Sequence, residues 1–326
     1  MFGTKSGLRI IATIAATAAF IGAFSLVPAN AGNRFASTDT FLKNAFVSGQ
    51  FIEGFTPGKP DFGFTLEAML QRKALGESKA DLAPAVAYSL TNPSVTGTEA
   101  NPTGYLFDPS KRVKLGIAGK FAFTSVVLKA ANQNLRKAII NDILSKIDGT
   151  GDIAANMSAN TFDRAWVVLA LQANGYGRQA ASLAVHMISH QLADGGFNDG
   201  YNLGVGSPDG TGIVLQALAA VHPGTTGQSR AIKQSLAKAI AYLTKSAVNG
   251  DHYEAYGDYS VNSTAYAAMG LAAVGKTSPA IKSWLLGKLS SDGGLQTSWS
   301  GGAGDVYATA QSGLALLGQS YLNLIK

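Results

Sequence analysis

A spacing that recurs along the chain limits its fold more than any other feature. Asp148-Gly149, Asp194-Gly195, Asn249-Gly250 and Asp292-Gly293 each follow an amphipathic helical stretch. Each precedes, by 13 or 15 residues, a polar residue that opens an Ala-rich apolar run: Asp163, Asp209, Asn262 and Asp305. Those runs end 12 or 13 residues later, at Gly175, His222-Pro223, Gly275 and Gly318. Turn-to-turn steps of 46, 55 and 43 residues suit repeated helical pairs. Ser48-Gly49, followed by Gly63-Phe64-Thr65 and a helical run closing at Gly76, supplies an earlier unit. Thr103-Gly104 with the run from Phe121 to Ala131 supplies another, so about six units span the chain.

Each unit predicts a helix, a Gly-rich loop and a second helix. Between Arg178 and Leu192, Ala184, Val185, Ile188 and Leu192 fall on one apolar face. Asp194-Gly195-Gly196 ends that stretch, because glycine accepts the left-handed backbone at a helix C-terminus. The next helix is expected after Asp209, whose carboxylate can cap its first N–H groups. Asn262 and Asp305 take the same place ahead of Thr264–Val274 and Tyr307–Leu317. The second helices are apolar nearly all round, as expected of helices packed on every side. Strand signals are weak, so the chain reads as all-α. An open stack of helical pairs needs polar capping repeats. A closed α/α toroid does not, and the Ala and Gly of Ala265, Ala267, Ala268, Gly270, Ala272 and Ala273 suit close packing in an inner barrel.

The chain begins with Lys5 and Arg9, an apolar run from Ile10 to Val27, and Pro28-Ala29-Asn30-Ala31. These are the parts of a secretory signal peptide, with cleavage expected after Ala31. The expected organisation is therefore a signal over residues 1–31 and one toroid domain over 32–326, secreted and without a membrane span. The whole chain of 326 residues carries a net charge of +6, and no cysteine. That charge is too mild and too evenly spread for nucleic acid. The missing thiol excludes disulfides, thiolate-bound zinc and a cysteine nucleophile.

The segment Gln191-Leu192-Ala193-Asp194-Gly195-Gly196-Phe197 resembles the repeat of squalene cyclases and of protein prenyltransferase beta subunits. A second copy, Lys288 to Leu295, keeps the Asp-Gly-Gly turn but replaces the Gln and the aromatic. The resemblance implies an α/α toroid. It transfers no mechanism, since the Asp-x-Asp-Asp cluster of the cyclases and the cysteine of the prenyltransferase zinc site are both absent. Fold alone does not fix function.

In a toroid the openings of the inner helices gather around one mouth. Asp163, Asp209, Asn262 and Asp305 are therefore candidates to line a ligand site there, although capping explains each one separately. The loops leading to that mouth contribute Phe197, Asp199, Tyr201, Tyr253, Glu254, Tyr256 and Trp299. Flat aromatics beside carboxylates suit a glycan or an amphiphilic ligand. Asp209, Glu254 and Asp305 are the candidates for acid–base chemistry. Tyr253 and Tyr256 are also spaced to pack in one helical turn. His186 and His190 are four apart on a helix but lack a third ligand, and no metal or cofactor is implied. The sequence favours a non-catalytic binder of a glycan, lipid or isoprenoid-like molecule. The alternatives are a carbohydrate- or isoprenoid-active enzyme (glycosidase, lyase or cyclase) using these carboxylates, and a cell-envelope scaffold.

Overall fold

The computed structural model describes residues 35–91, 115–129, 133–155, 159–200, 204–222 and 224–326. Residues 1–31, read above as a signal, together with Thr103-Gly104 and Tyr201, lie outside the described residues. Helices alternate along the chain as α1 (Ala36–Ala45), α2 (Phe62–Leu75), α3 (Lys79–Thr91), α4 (Leu115–Val127), α5 (Gln133–Ser145), α6 (Thr161–Ala173) and α7 (Gly177–Ile188). They continue as α8 (Pro208–Ala220), α9 (Thr226–Ser246), α10 (Val261–Ala273), α11 (Pro279–Gly287), α12 (Val306–Thr309) and α13 (Gly313–Leu317), before a 3-10 turn at Tyr321–Leu324. Two short antiparallel ribbons, β1 (Phe46–Val47) with β2 (Phe51–Ile52) and β3 (Glu254–Ala255) with β4 (Asp258–Tyr259), decorate the loops.

Packing order shows an all-α ring. Helices α2, α4, α6, α8 and α10 lie side by side in sequence, α10 packs on α13, and α13 returns to α2. These form the inner barrel; α3, α5, α7, α9 and α11 flank it outside. The inner helices bury almost every side chain, as in α8 from Gly210 to Leu218 and α6 from Ala165 to Leu171. Glycines permit that closeness. A Cβ at Gly212 would run into the backbone of Tyr266, one at Gly270 into the backbone of Gly212, and one at Gly119 would stand 2.7 Å from the carbonyl carbon of Trp166.

The repeated turns connect neighbouring units. Gly151, Gly195 and Gly293 adopt φ of +90°, +90° and +92°, a conformation natural only to glycine. A Cβ on Gly151 would strike Ser182 of α7, on Gly195 the Lys238 carbonyl of α9, and on Gly293 the Ser37 carbonyl of α1. Each turn thus rests on the outer helix of the following unit, and for the last turn that helix is the first in the described chain. This is how the ring closes. Gly250 keeps the left-handed backbone at φ +76° but has open space around it.

A second recurrence joins each loop to its inner helix. The side-chain oxygens of Thr65, Thr211, Thr264 and Thr309 accept from the backbone N–H of Ile52, Phe197, Tyr253 and Leu295 at 3.0, 2.9, 3.0 and 2.8 Å. Each threonine stands four residues after the helix cap, which is Asp61, Ser207, Ser260 or Asp305. The cap positions correct three expectations. Asn160 rather than Asp163 caps α6, Ser207 rather than Asp209 caps α8, and Ser260 rather than Asn262 caps α10. Each serine stands two residues before the expected cap and starts its helix earlier, which places Asp209 and Asn262 inside the first turn. Asp305 does cap, accepting from Ala308 N at 2.7 Å, but the expected helix from Tyr307 to Leu317 divides into α12 and α13. The outer helix expected to reach Leu192 ends at Ile188 in tighter turns.

The docking of the turns predicts a contrast between two glycines. Gly293→Ala adds left-handed strain to a clash with the α1 backbone, so stability should fall by about 3 kcal/mol or more. Gly301→Ala, at φ +63° with nothing within 4 Å, should cost about 1 kcal/mol. Thermal unfolding of both variants checks the order.

Candidate active site

The inner helices all begin at one end of the ring, and a cavity of about 750 Å³ opens there. Its wall combines the starts of α6, α8 and α10 with the β3–β4 hairpin and the loop carrying Trp299. Of the candidates drawn from the sequence, Asp199, Asp209, Glu254, Tyr256, Asn262 and Trp299 meet on this wall. Phe197 and Tyr253 do not, being 0% and 1% exposed. They fill the core position whose N–H is held by Thr211 and Thr264, so the repeat itself accounts for one aromatic in each loop. Asp163 is also away from the cavity. Its carboxylate accepts from Asn160 N at 3.1 Å and from Gly116 N at 2.9 Å, joining α6 to the start of α4. Asp305 is held by its capping bond and does not line the cavity.

Asp209 lies in the first turn of α8, held by hydroxyls. Ser263 of α10 donates a short hydrogen bond to its Oδ2, and Ser207 donates to the same oxygen at 3.5 Å. Burial among protein atoms is the largest influence and pushes its pKa up from the ordinary 3.8 to about 6. Ser263 opposes that shift, and the neighbouring charge of Asp199 adds to it. The residue keeps partial contact with the cavity solvent, so the acid stays within reach of a ligand.

The rim is aromatic. Tyr256 and Gly257 make a two-residue reversal at φ +56° and +87°, closing the β3–β4 ribbon where Ala255 pairs with Asp258. A left-handed backbone at a tyrosine costs about 1–3 kcal/mol and tends to persist where it serves a site. It leaves the Tyr256 ring 95% exposed, beside a cavity where Trp299 is 70% exposed. Tyr256 is thus in a hairpin and not in a helical turn with Tyr253.

The floor holds a buried network that sequence inspection missed. Tyr266 Oη donates to Glu67 Oε1 at 2.8 Å, and Gln311 Nε2 donates to Glu67 Oε2 at 2.7 Å. Glu67 is fully buried and forms an ion pair with Lys120. Asn262 Nδ2 in turn donates to Gln311 Oε1 at 2.5 Å. Burial, followed by the Glu67 charge, drives the Tyr266 phenol well above its usual range, so it stays protonated. The one available signal was a charged residue, Glu67, inside an otherwise apolar helical run. At the other end of the barrel, Gln71 Nε2 donates to Tyr321 Oη at 3.2 Å, and Tyr321 N donates to Gln216 Oε1 at 2.9 Å. The C-terminal turn therefore plugs the barrel opposite the cavity.

Among the described residues no set of three His, Cys, Asp or Glu side chains is arranged to hold a metal ion. His186 Nε2 lies 2.6 Å from the Thr150 carbonyl, and desolvation, followed by the Arg164 charge, lowers the pKa of His190. No helix of the described residues is long and apolar enough to cross a membrane.

No protein-family model matches this chain, and neither does any curated protein. Its fold is similar to that of the solved unsaturated glucuronyl hydrolase of Bacillus sp. GL1, an enzyme responsible for the degradation of glycosaminoglycan. The match has a TM-score of 0.57 at 12% identity and covers 88% of this chain and 96% of that one. A second structure, UGL with an Asp-to-Asn substitution and the saccharide dGlcA-Glc-Rha-Glc, matches with a TM-score of 0.56 at 12% identity, over 88% of this chain and 96% of that one. These neighbours, and not squalene cyclases or prenyltransferases, are the solved structures whose toroid fold this chain shares, which corrects the resemblance read from the sequence. The motif misled because it encodes a turn. Gln191 Nε2 donates to the carbonyls of Gly195 and Ser235 at 2.8 and 2.9 Å, and Asp194 accepts from Gly196 N at 2.8 Å and Gly206 N at 3.3 Å. Any toroid built on that turn has use for those residues.

The raised pKa of Asp209 predicts a pH-dependent stability. Between pH 3.8 and about 6 the folded chain keeps a proton that the unfolded chain has lost, so Asp209 makes stability fall as pH rises through that window. Asp209→Asn, which keeps an acceptor for Ser263, should therefore stabilise the protein above pH 7, by up to about 3 kcal/mol, and leave it nearly unchanged below pH 4. Urea unfolding of both proteins at the two pH values measures this.

Proposed function

We propose that this chain is a carbohydrate-active enzyme that cleaves a glycosidic bond with Asp209 as proton donor. The observation that carries the proposal is Asp209, an acid pushed up to about 6 in a cavity wall shared with Asp199 and Glu254. An acid in that range is still protonated in part near neutral pH and can give its proton to a leaving oxygen. A second carboxylate, Asp199 or Glu254, serves as base toward water or as nucleophile, the two-carboxylate arrangement of glycoside hydrolysis. Tyr256 and Trp299 offer ring faces against which a sugar stacks. Asn262 supplies a polar contact from the floor.

The glycosaminoglycan-degrading neighbour supports this reading, as it joins the same architecture to carbohydrate chemistry. Neither neighbour supports a non-catalytic binder or a lipid or isoprenoid ligand. The export signal read at residues 1–31 suits an enzyme meeting glycans outside the cytoplasm.

The test is turnover on a panel of oligosaccharides, comparing the wild type with Asp209→Asn. Loss of the proton donor should lower kcat by about 10²-fold or more, with KM changed far less. On the active substrate, kcat/KM should fall as pH rises through about 6, where Asp209 ionises. An Asp209→Asn protein with undiminished kcat would remove Asp209 from the chemistry.

A further inference from the structure

The cavity takes in only part of the mouth, and the repeat shows what stands beside it. The second residue after the helix cap lines the cavity in three consecutive units: Phe162 after Asn160, Asp209 after Ser207 and Asn262 after Ser260. In the next unit round the ring the cap is Asp305, and the same position is Tyr307. Tyr307 is half-buried and lies outside the cavity. Its ring packs on Phe64 of α2 at 4.5 Å and on Phe55 at 5.0 Å between centroids, while its phenol donates to the Glu53 carbonyl at 3.1 Å.

Phe55 is where this aromatic stack meets solvent. It belongs to the loop from β2 to α2, which leads to the same mouth, and it is 84% exposed. That loop is tied down: Gly54 N donates to the Lys59 carbonyl and Gly58 N donates to Glu53 Oε1, both at 2.8 Å. The ring is thereby held in place by its own loop and by Tyr307. Single exposed apolar side chains are ordinary on a protein surface, but these are not scattered. Among the described residues four of the five exposed large apolar side chains, Val205, Tyr256, Trp299 and Phe55, lie in the loops entering α8, α10, α12 and α2. Those helices belong to consecutive units of the ring. The first three side chains line the cavity, and Phe55 carries the arc one unit beyond it.

We propose that Phe55, seated on Tyr307, is an aromatic subsite for a further sugar of the chain cleaved at Asp209, so that the substrate is an oligo- or polysaccharide with several sugars bound at once. This rests on the proposed glycan activity and adds to it the length of chain recognised. A sugar lays its apolar C–H face on an aromatic ring, and a ring already fixed at the rim loses little freedom in receiving it. Polar groups such as Glu254 and Asn262 stand along the same arc. That mixture suits sugars stacked one by one better than a protein partner, whose interface core is depleted in charge. The loops into α12 and α2 then hold the part of the chain that leaves the cavity past Trp299.

The experiment is calorimetric binding of glucan, chitin and glycosaminoglycan fragments, from disaccharide to octasaccharide, to the Asp209→Asn protein, which spares them from cleavage. Affinity should rise with length by about 10-fold over the series of the fragment it binds best. Phe55→Ala in the same background should cost the octasaccharide about 10-fold and the disaccharide no more than about 2-fold. Phe55→Trp, which keeps a ring face, should preserve the rise. An affinity independent of length, a rise that survives Phe55→Ala, or a loss shared equally by all lengths overturns the subsite and leaves the cavity reading standing. Sedimentation that shows a dimer separated by Phe55→Ala also overturns it, by giving Phe55 to a second copy of the chain. Absence of binding at every length removes the glycan reading and the subsite with it.

Discussion

Closure of the ring depends on a few glycines pressed against the backbone of a neighbouring helix. The turn glycines at 151, 195 and 293 reverse the chain in a left-handed conformation and approach the next outer helix so closely that no Cβ fits. At Gly293 that helix is α1, from the opposite end of the described chain. Gly304 approaches the same helix, 2.8 Å from Phe41 by its would-be Cβ. Asp292 holds the turn by accepting from Gly294 N and Gly304 N, each at 2.9 Å, as Asp194 does with Gly196 and Gly206. The first and last units are therefore joined by the same contact that joins adjacent units. Closure sets the inner helices parallel, with all their first turns around one mouth, and the candidate site is a consequence of that geometry.

Much of this architecture was legible because the repeat places its strongest constraints in residue identity. A left-handed turn needs glycine, a cap needs Asp, Asn or Ser, and a helix packed on all sides needs an unbroken apolar run. The six-unit toroid follows from those three requirements. The cap itself was misplaced at α6, α8 and α10, because Asn160, Ser207 and Ser260 stand near the more conspicuous Asp163, Asp209 and Asn262. The threonines that bind loop to helix escaped notice for a similar reason: Thr65, Thr211, Thr264 and Thr309 are ordinary residues in ordinary helical positions until the loop N–H groups arrive from elsewhere.

The site was legible only in part, and the division has a physical basis. Loop aromatics announce themselves in a sequence, but burial separates those that fill the core from those that reach a ligand. Phe197 and Tyr253 go inward because their backbone N–H groups are tethered to the inner helix, whereas Tyr256 and Trp299 lie further along their loops and come out at the rim. The Glu67, Lys120, Tyr266 and Gln311 network could not be found by spacing at all. Its members come from units far apart in sequence, with 244 residues between Glu67 and Gln311. The raised pKa of Asp209 is likewise a property of closure, since the protein that buries it arrives only when α8 and α10 pack.

The central claim is that the cavity over Asp209 is where this protein holds a sugar. A crystal structure of the Asp209→Asn protein soaked with the best-bound oligosaccharide tests it most directly. The account predicts a sugar ring stacked on Trp299 or Tyr256, with a glycosidic oxygen within hydrogen-bond distance of residue 209 and a hydroxyl on Asn262. A sugar bound on the outer helices, with the cavity left to solvent, would contradict it.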